Sequence, residues 1–127
     1  MLNERVRAEI EMFKRHIIVL RAVIEEGPIG ILRLSEITSL PTHKVRYSLR
    51  ILEREHLIVP SPQGAVPTGR GIRVMEKIED EIRPIEEKLT ELKRYADIVV
   101  LVSHYAPVFI TVKGEPEKVY PFMGSRE

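Results

Sequence analysis

The chain has 127 residues, 43% hydrophobic and 31% charged, with 20 Lys/Arg against 19 Asp/Glu, a formal net charge of +1. That length suits one domain, or one domain with an appendage, and the apolar content suffices for a core. There is no cysteine, which excludes a disulfide frame, a thiolate nucleophile and a cysteine zinc site. The apolar runs Ile17–Leu20 and Ile98–Val102 fall far short of the roughly 20 residues that span a bilayer. The opening residues Met1-Leu2-Asn3-Glu4-Arg5 mix acid and base without a cleavable apolar core, so a cytoplasmic protein with no membrane partner is expected.

In chain order, Asn3 is placed to cap a long helix reaching about Glu26, with Glu4 in its first turn. Val6, Ile10, Phe13, Ile17, Leu20 and Ile24 recur at alternating steps of four and three, and from Ile17 onward the helix is apolar nearly all round. Its second half is therefore expected in the core and its first half as an amphipathic arm. His16 reads as a partly exposed helix residue. Gly27-Pro28 ends the helix, and Ile29–Leu32 reads as a brief extended piece able to pair with a later hairpin. A short helix over about Arg33–Thr38 turns Leu34 and Ile37 inward, and Pro41 opens the next helix, where its fixed φ and missing N–H cost nothing.

That next helix, to about Glu55, places Val45, Leu49 and Leu52 on one stripe and Thr42, His43, Lys44, Arg46, Tyr47 and Arg50 on the other side. Lys44, Arg46, Arg50 and Arg54 stand against Glu53 alone, a local charge of +3. The charge is segregated along the chain as well: residues 1–70 hold 11 Lys/Arg and 8 Asp/Glu, whereas residues 71–97 hold 6 and 8. A nucleic-acid footprint is local, so a near-neutral total does not exclude one. Leu57–Pro60 and Ala65–Thr68 flank Ser61-Pro62-Gln63-Gly64, a sequence with the chemistry of a type I turn, which predicts a short hairpin. Its tip carries Gln63 and no cation. Thr68 is placed to cap the helix that follows; Gly69 and Gly71 match no phosphate-binding loop pattern.

The ordered set Leu34-x-Glu36-Ile37, Ser39-Leu40-Pro41, Val45-x-x-x-Leu49-x-x-Leu52, Leu57-Ile58-Val59 and the tight turn resembles the winged helix-turn-helix domain of small prokaryotic transcriptional regulators. The resemblance covers roughly residues 17–80. Two positions depart from it: Ser39 stands where glycine is the common turn residue, and His56 stands where glycine often ends the recognition helix, since a side chain in the left-handed region is unfavourable there. The resemblance implies that the helix beginning near Pro41 enters the major groove of double-stranded DNA. Thr42, His43, Lys44, Arg46, Tyr47 and Arg50 are then the contact candidates, with Gln63 on the wing. Arg46 or Lys44 suits guanine edges, and Thr42, Tyr47 and Arg50 suit phosphates.

From Arg70 to about Ala96, Met75, Ile78, Ile82, Ile85, Leu89, Leu92 and Ala96 repeat at steps of three and four, a heptad seam flanked by charge. Pro84 lies inside it and predicts a kink, or a break with the axes nearly aligned. So small a core cannot cover a seam of this length, which needs either the same helix of a second subunit or the N-terminal arm; a homodimer through residues 72–97 is the economical expectation, with Met75, Ile78, Ile82, Ile85, Leu89 and Leu92 as the dimerisation residues. Residues 98–127 change character: Asp97–Ser103 and Val108–Val112 are β-branched runs that predict a hairpin, with Val119-Tyr120 as a further strand candidate. His104 and Tyr105 beside it are candidates for lining a small-molecule effector pocket, although loop packing is the commoner role.

The fold expected is thus mainly α with a small β element: a winged helix-turn-helix domain over 1–71, a long heptad helix over 72–97 for dimerisation, and a β-rich tail over 98–127. No cofactor is implied. His16, His43, His56 and His104 are scattered without carboxylates at metal-ligand spacing, and no Gly-x-Ser-x-Gly elbow occurs, so an enzyme is not expected. The reading is a homodimeric, sequence-specific DNA-binding regulator. The alternative is a protein-interaction module that uses the winged helix as scaffold and the C-terminal β-segment as its binding surface.

Overall fold

A computed structural model describes residues 2–105. These form five helices and one antiparallel hairpin: α1 (Glu4–Glu26), α2 (Ile31–Thr38), α3 (Thr42–Arg54), β1 (Ile58–Ser61), β2 (Gly64–Pro67), α4 (Gly69–Glu76) and α5 (Ile78–Tyr105). The chain divides into two units, one ending at Ile78 and the other beginning at Glu79.

The first unit is built around the C-terminal half of α1, where Val19, Leu20, Ala22 and Val23 are buried. Ile29, Leu34, Val45, Leu52 and Ile58 complete the core, with Ile24, Ile31, Leu40, Leu49, Leu57, Ala65, Val74 and Met75 packed around them. Earlier in α1, Val6 and Ile10 are exposed, as the all-round apolar pattern from Ile17 onward anticipates. Asn3 does not cap the helix. Its backbone is already helical (φ −85, ψ −7) and its side chain makes no capping bond, because an N-cap reaches forward only from extended backbone. Its carbonyl instead accepts the Arg7 N–H at 2.9 Å.

Of the extended piece expected over Ile29–Leu32, only Ile29 pairs, forming a bridge with Ala65. The Ile29 N–H donates to Ala65 O at 3.1 Å and the Ala65 N–H to Ile29 O at 2.8 Å. From Gly30 onward the helix claims the chain: the Leu34 N–H donates to Gly30 O at 3.0 Å, and an early start turns Ile31 toward the core. Beside the bridge the backbone approaches so closely that a Cβ on Gly64 (φ +129) would lie 2.5 Å from the Ile29 carbonyl carbon. Only glycine fits there.

The hairpin pairs Ile58 with Pro67, Val59 with Val66, Pro60 with Ala65 and Ser61 with Gly64, leaving Pro62 and Gln63 as its loop. The Ser61 hydroxyl donates to Gly64 O at 2.7 Å and accepts the Gln63 N–H at 3.2 Å. Thr68 caps α4 as expected: its Oγ1 accepts the Gly71 N–H at 2.9 Å and donates to His56 O at 2.8 Å. Gly71 abuts the Leu57 backbone so closely that any Cβ would collide with its carbonyl oxygen. This accounts for a glycine that no phosphate site requires.

Past α4 the structure departs from the sequence pattern in two places. The heptad pattern runs through Met75 and Ile78, but the helix is interrupted at Lys77 (φ −117, ψ 38), and Met75 packs with the core of the first unit. Pro84 neither ends nor divides α5, which continues through it. One missing N–H bond near the start of a helix this long is outweighed by the bonds that follow. The β-strand expected over Asp97–Ser103 is helix instead, since α5 reaches Tyr105. Val and Ile lose only a few tenths of a kcal/mol each in a helix, and no Gly or Pro intervenes between Pro84 and Pro107. An established helix therefore extends through β-branched residues that would nucleate one poorly. The expected strands at Val108–Val112 and Val119-Tyr120 lie outside the described residues. Among the described residues, no helix is long and apolar enough to cross a membrane.

Candidate nucleic-acid interface

The candidate surface is the solvent side of α3, and its placement begins at the turn before it. Thr38 Oγ1 donates to Leu34 O at 2.6 Å, and Ser39 turns the chain with φ 60 in the left-handed region. Ser35 Oγ donates to Leu40 O at 2.6 Å, tying the turn back to α2. The Pro41 carbonyl then accepts the N–H groups of Lys44 and Val45 at 3.0 and 3.1 Å, starting α3. At its far end the Leu57 N–H donates to Leu52 O at 2.9 Å and the His56 N–H to Glu53 O at 3.0 Å, with His56 at φ 63. That bond pair around a left-handed residue is a Schellman closure. Ser39 and His56, the two positions where the sequence departs from glycine, are thus both left-handed.

Between these stops α3 buries Val45, Ser48 and Leu52 and half-buries Leu49. His43, Arg46, Tyr47 and Arg50 are exposed, and their spacing of three and four gathers them on one face with Arg54. Lys44 and Thr42 are only half-exposed. Lys44 is two residues from Arg46, hence on the opposite flank of the helix, so the structure does not bring it together with the other cation. Gln63 is exposed in the hairpin loop, and the hairpin Ile58–Pro67 contains no Lys or Arg.

The cations of this face are unpaired. Arg21 is engaged by Glu25 at 3.0 Å and Arg33 by Glu36 at 3.0 Å, whereas Arg46, Arg50 and Arg54 make no ion pair among the described residues, nor does Lys44 on the other flank. Guanidinium groups held on a rigid helix without a carboxylate partner can take up an external anion with no internal ion pair to break.

Sequence reasoning missed what fixes this helix from behind. His16 of α1 is half-buried, and its Nδ1 shares a hydrogen bond with Ser48 Oγ at 2.8 Å. The His16 ring also lies 5.9 Å from the Tyr47 ring, tilted by 39°. Ser48 is fully buried, so its hydroxyl requires this partner. Desolvation by burial, and then the nearby Arg15, lower the His16 pKa and favour the neutral ring. A signal for it exists in the sequence: Ser48 falls three residues after Val45 and four before Leu52, a polar residue on the buried stripe. No protein-family model matches the chain, and no curated protein matches its sequence.

Proposed function

We propose that the first unit is a winged helix-turn-helix DNA-binding domain, that α3 is its recognition helix, and that the chain acts as a homodimeric transcriptional regulator. The observation that carries this reading is the face of α3 itself. Arg46, Tyr47, Arg50 and His43 are exposed on it without carboxylate partners, while Val45, Ser48 and Leu52 anchor its back. A helix of this length and surface suits the major groove, where Arg46 is offered to base edges and Arg50 and Tyr47 to phosphates. The hairpin, lacking cations, braces the unit through the Ile29 bridge more than it grips DNA.

Salt-titrated binding to a mixed-sequence duplex tests the proposal. If each subunit neutralises about three phosphates, log affinity falls against log salt with a slope of about −5 for the dimer. Arg50→Ala weakens all sequences alike and flattens the slope by about one for each phosphate no longer neutralised. Arg46→Ala costs about 1–3 kcal/mol per half-site and relaxes preference at one position. Identical weak binding by the wild type and the Arg46/Arg50 double variant would end the DNA reading in favour of an interaction module.

A further inference from the structure

Helix α5 carries an apolar seam with nothing buried on it: between Ile78 and Ile98 no residue is buried, and Leu89 and Leu92 are 44% and 64% exposed. In heptad terms Ile82, Leu89 and Ala96 occupy position a, and Ile78, Ile85 and Leu92 occupy position d. Pro84 falls at c, on the side away from the seam. The flanking positions are sorted by sign along the helix. Glu79, Glu86 and Lys93 are at e, and Glu81 and Lys88 are at g, acidic toward the N-terminal end and basic toward the middle. Glu86 and Lys93 make no ion pair within the chain among the described residues.

This order discriminates between the ways two copies can pair. In a parallel pair each g residue meets the partner's e residue of the next heptad. Glu81 would then face the partner's Glu86, and Lys88 the partner's Lys93, so both contacts between charged flanking residues are between like charges. Reversing one helix changes the pairing to e with e and g with g. With Leu89 layered on the partner's Leu92, and Ile85 on the partner's Ala96, Glu86 meets the partner's Lys93 and Lys93 the partner's Glu86. No like-charge contact remains. Sliding this arrangement by one heptad toward the N-termini pairs all six seam residues and sets Glu79 against the partner's Lys93, but it also sets Glu86 against the partner's Glu86 and Lys88 against the partner's Lys88. A second heptad leaves Leu92 and Ala96 with no α5 layer opposite them.

We propose that α5 pairs antiparallel with α5 of a second copy, in the alignment that joins Glu86 to the partner's Lys93. The proposal rests on the homodimer part of the proposed function and supplies its geometry. In this alignment the two Ile78 residues, where each chain enters α5, lie roughly 38 Å apart along the seam. A parallel pair would place them side by side.

The full-length Glu86→Lys variant distinguishes the arrangements by sign. Sedimentation velocity at low salt over a concentration series, with circular dichroism confirming unchanged helicity, gives the dimer dissociation constant. The antiparallel seam predicts that Glu86→Lys weakens the dimer several-fold and that Glu86→Lys/Lys93→Glu restores it. A dimer tightened by Glu86→Lys would overturn the proposal in favour of parallel helices, since that change removes the repulsion between Glu81 and the partner's Glu86. A dimer indifferent to both variants would overturn it while leaving the homodimer reading intact on another surface. A monomeric wild type would overturn both.

Discussion

Replacing Ser39 and His56 with glycine should stabilise the protein, and the size of the gain follows from the backbone. Ser39 has φ 60 and His56 φ 63. An L-residue held in the left-handed region loses roughly 1–2 kcal/mol to the clash between Cβ and the following carbonyl. Glycine removes that clash but enlarges the unfolded ensemble, which takes back about 0.4–1 kcal/mol. The net gain is about 0.5–1 kcal/mol per site. Both side chains are exposed and make no hydrogen bond or ion pair of their own among the described residues, so no such interaction is removed. The helix between them spans about 20 Å, and the gains should add. The double variant should therefore unfold at a midpoint roughly 5–10 °C above wild type, and at higher urea, as followed by far-UV circular dichroism. Ser39→Ala, which keeps the Cβ, serves as control and should change stability by less than about 0.5 kcal/mol. A double variant no more stable than wild type would refute the assignment of left-handed backbone at the two ends of α3.

Further outcomes concern the supports of that helix. Gly64→Ala places a Cβ against the Ile29 backbone and should break the reciprocal Ile29–Ala65 hydrogen bonds, costing about 2–4 kcal/mol. Loss of hydrogen-exchange protection at those two amides is the check, and full retention would contradict so close a fit of the two backbones. His16→Gln should flatten the dependence of stability on pH. Because the folded His16 pKa is lowered, the unfolded chain takes up the proton first. The contribution of His16 is complete above about pH 6.5 and is lost as pH falls from there through the folded value. Wild type should thus lose stability faster than the variant below about pH 6.5, measured by urea midpoints over a pH series.

The order of elements through Thr68 could be read from residue patterns because each rests on local chemistry. The four-and-three apolar repeat marks α1 and α3, Gly27-Pro28 and Pro41 mark boundaries, and Ser61-Pro62-Gln63-Gly64 marks the hairpin loop. The exposed face of α3 was legible for the same reason: a periodic stripe that buries Val45 and Leu52 leaves Arg46, Tyr47 and Arg50 outside. What the patterns could not decide were choices between locally equal options. The heptad runs unbroken through Met75 and Ile78, yet packing of Val74 and Met75 on the core of the first unit accompanies a break at Lys77. The β-branched run after Asp97 has strand propensity, but a helix already propagating from Ile78 needs only to extend by one hydrogen bond per residue, whereas a strand needs a partner. His16 and Ser48 lie 32 residues apart. No local pattern joins them, and only the packing of α1 against α3 gave the buried hydroxyl its partner.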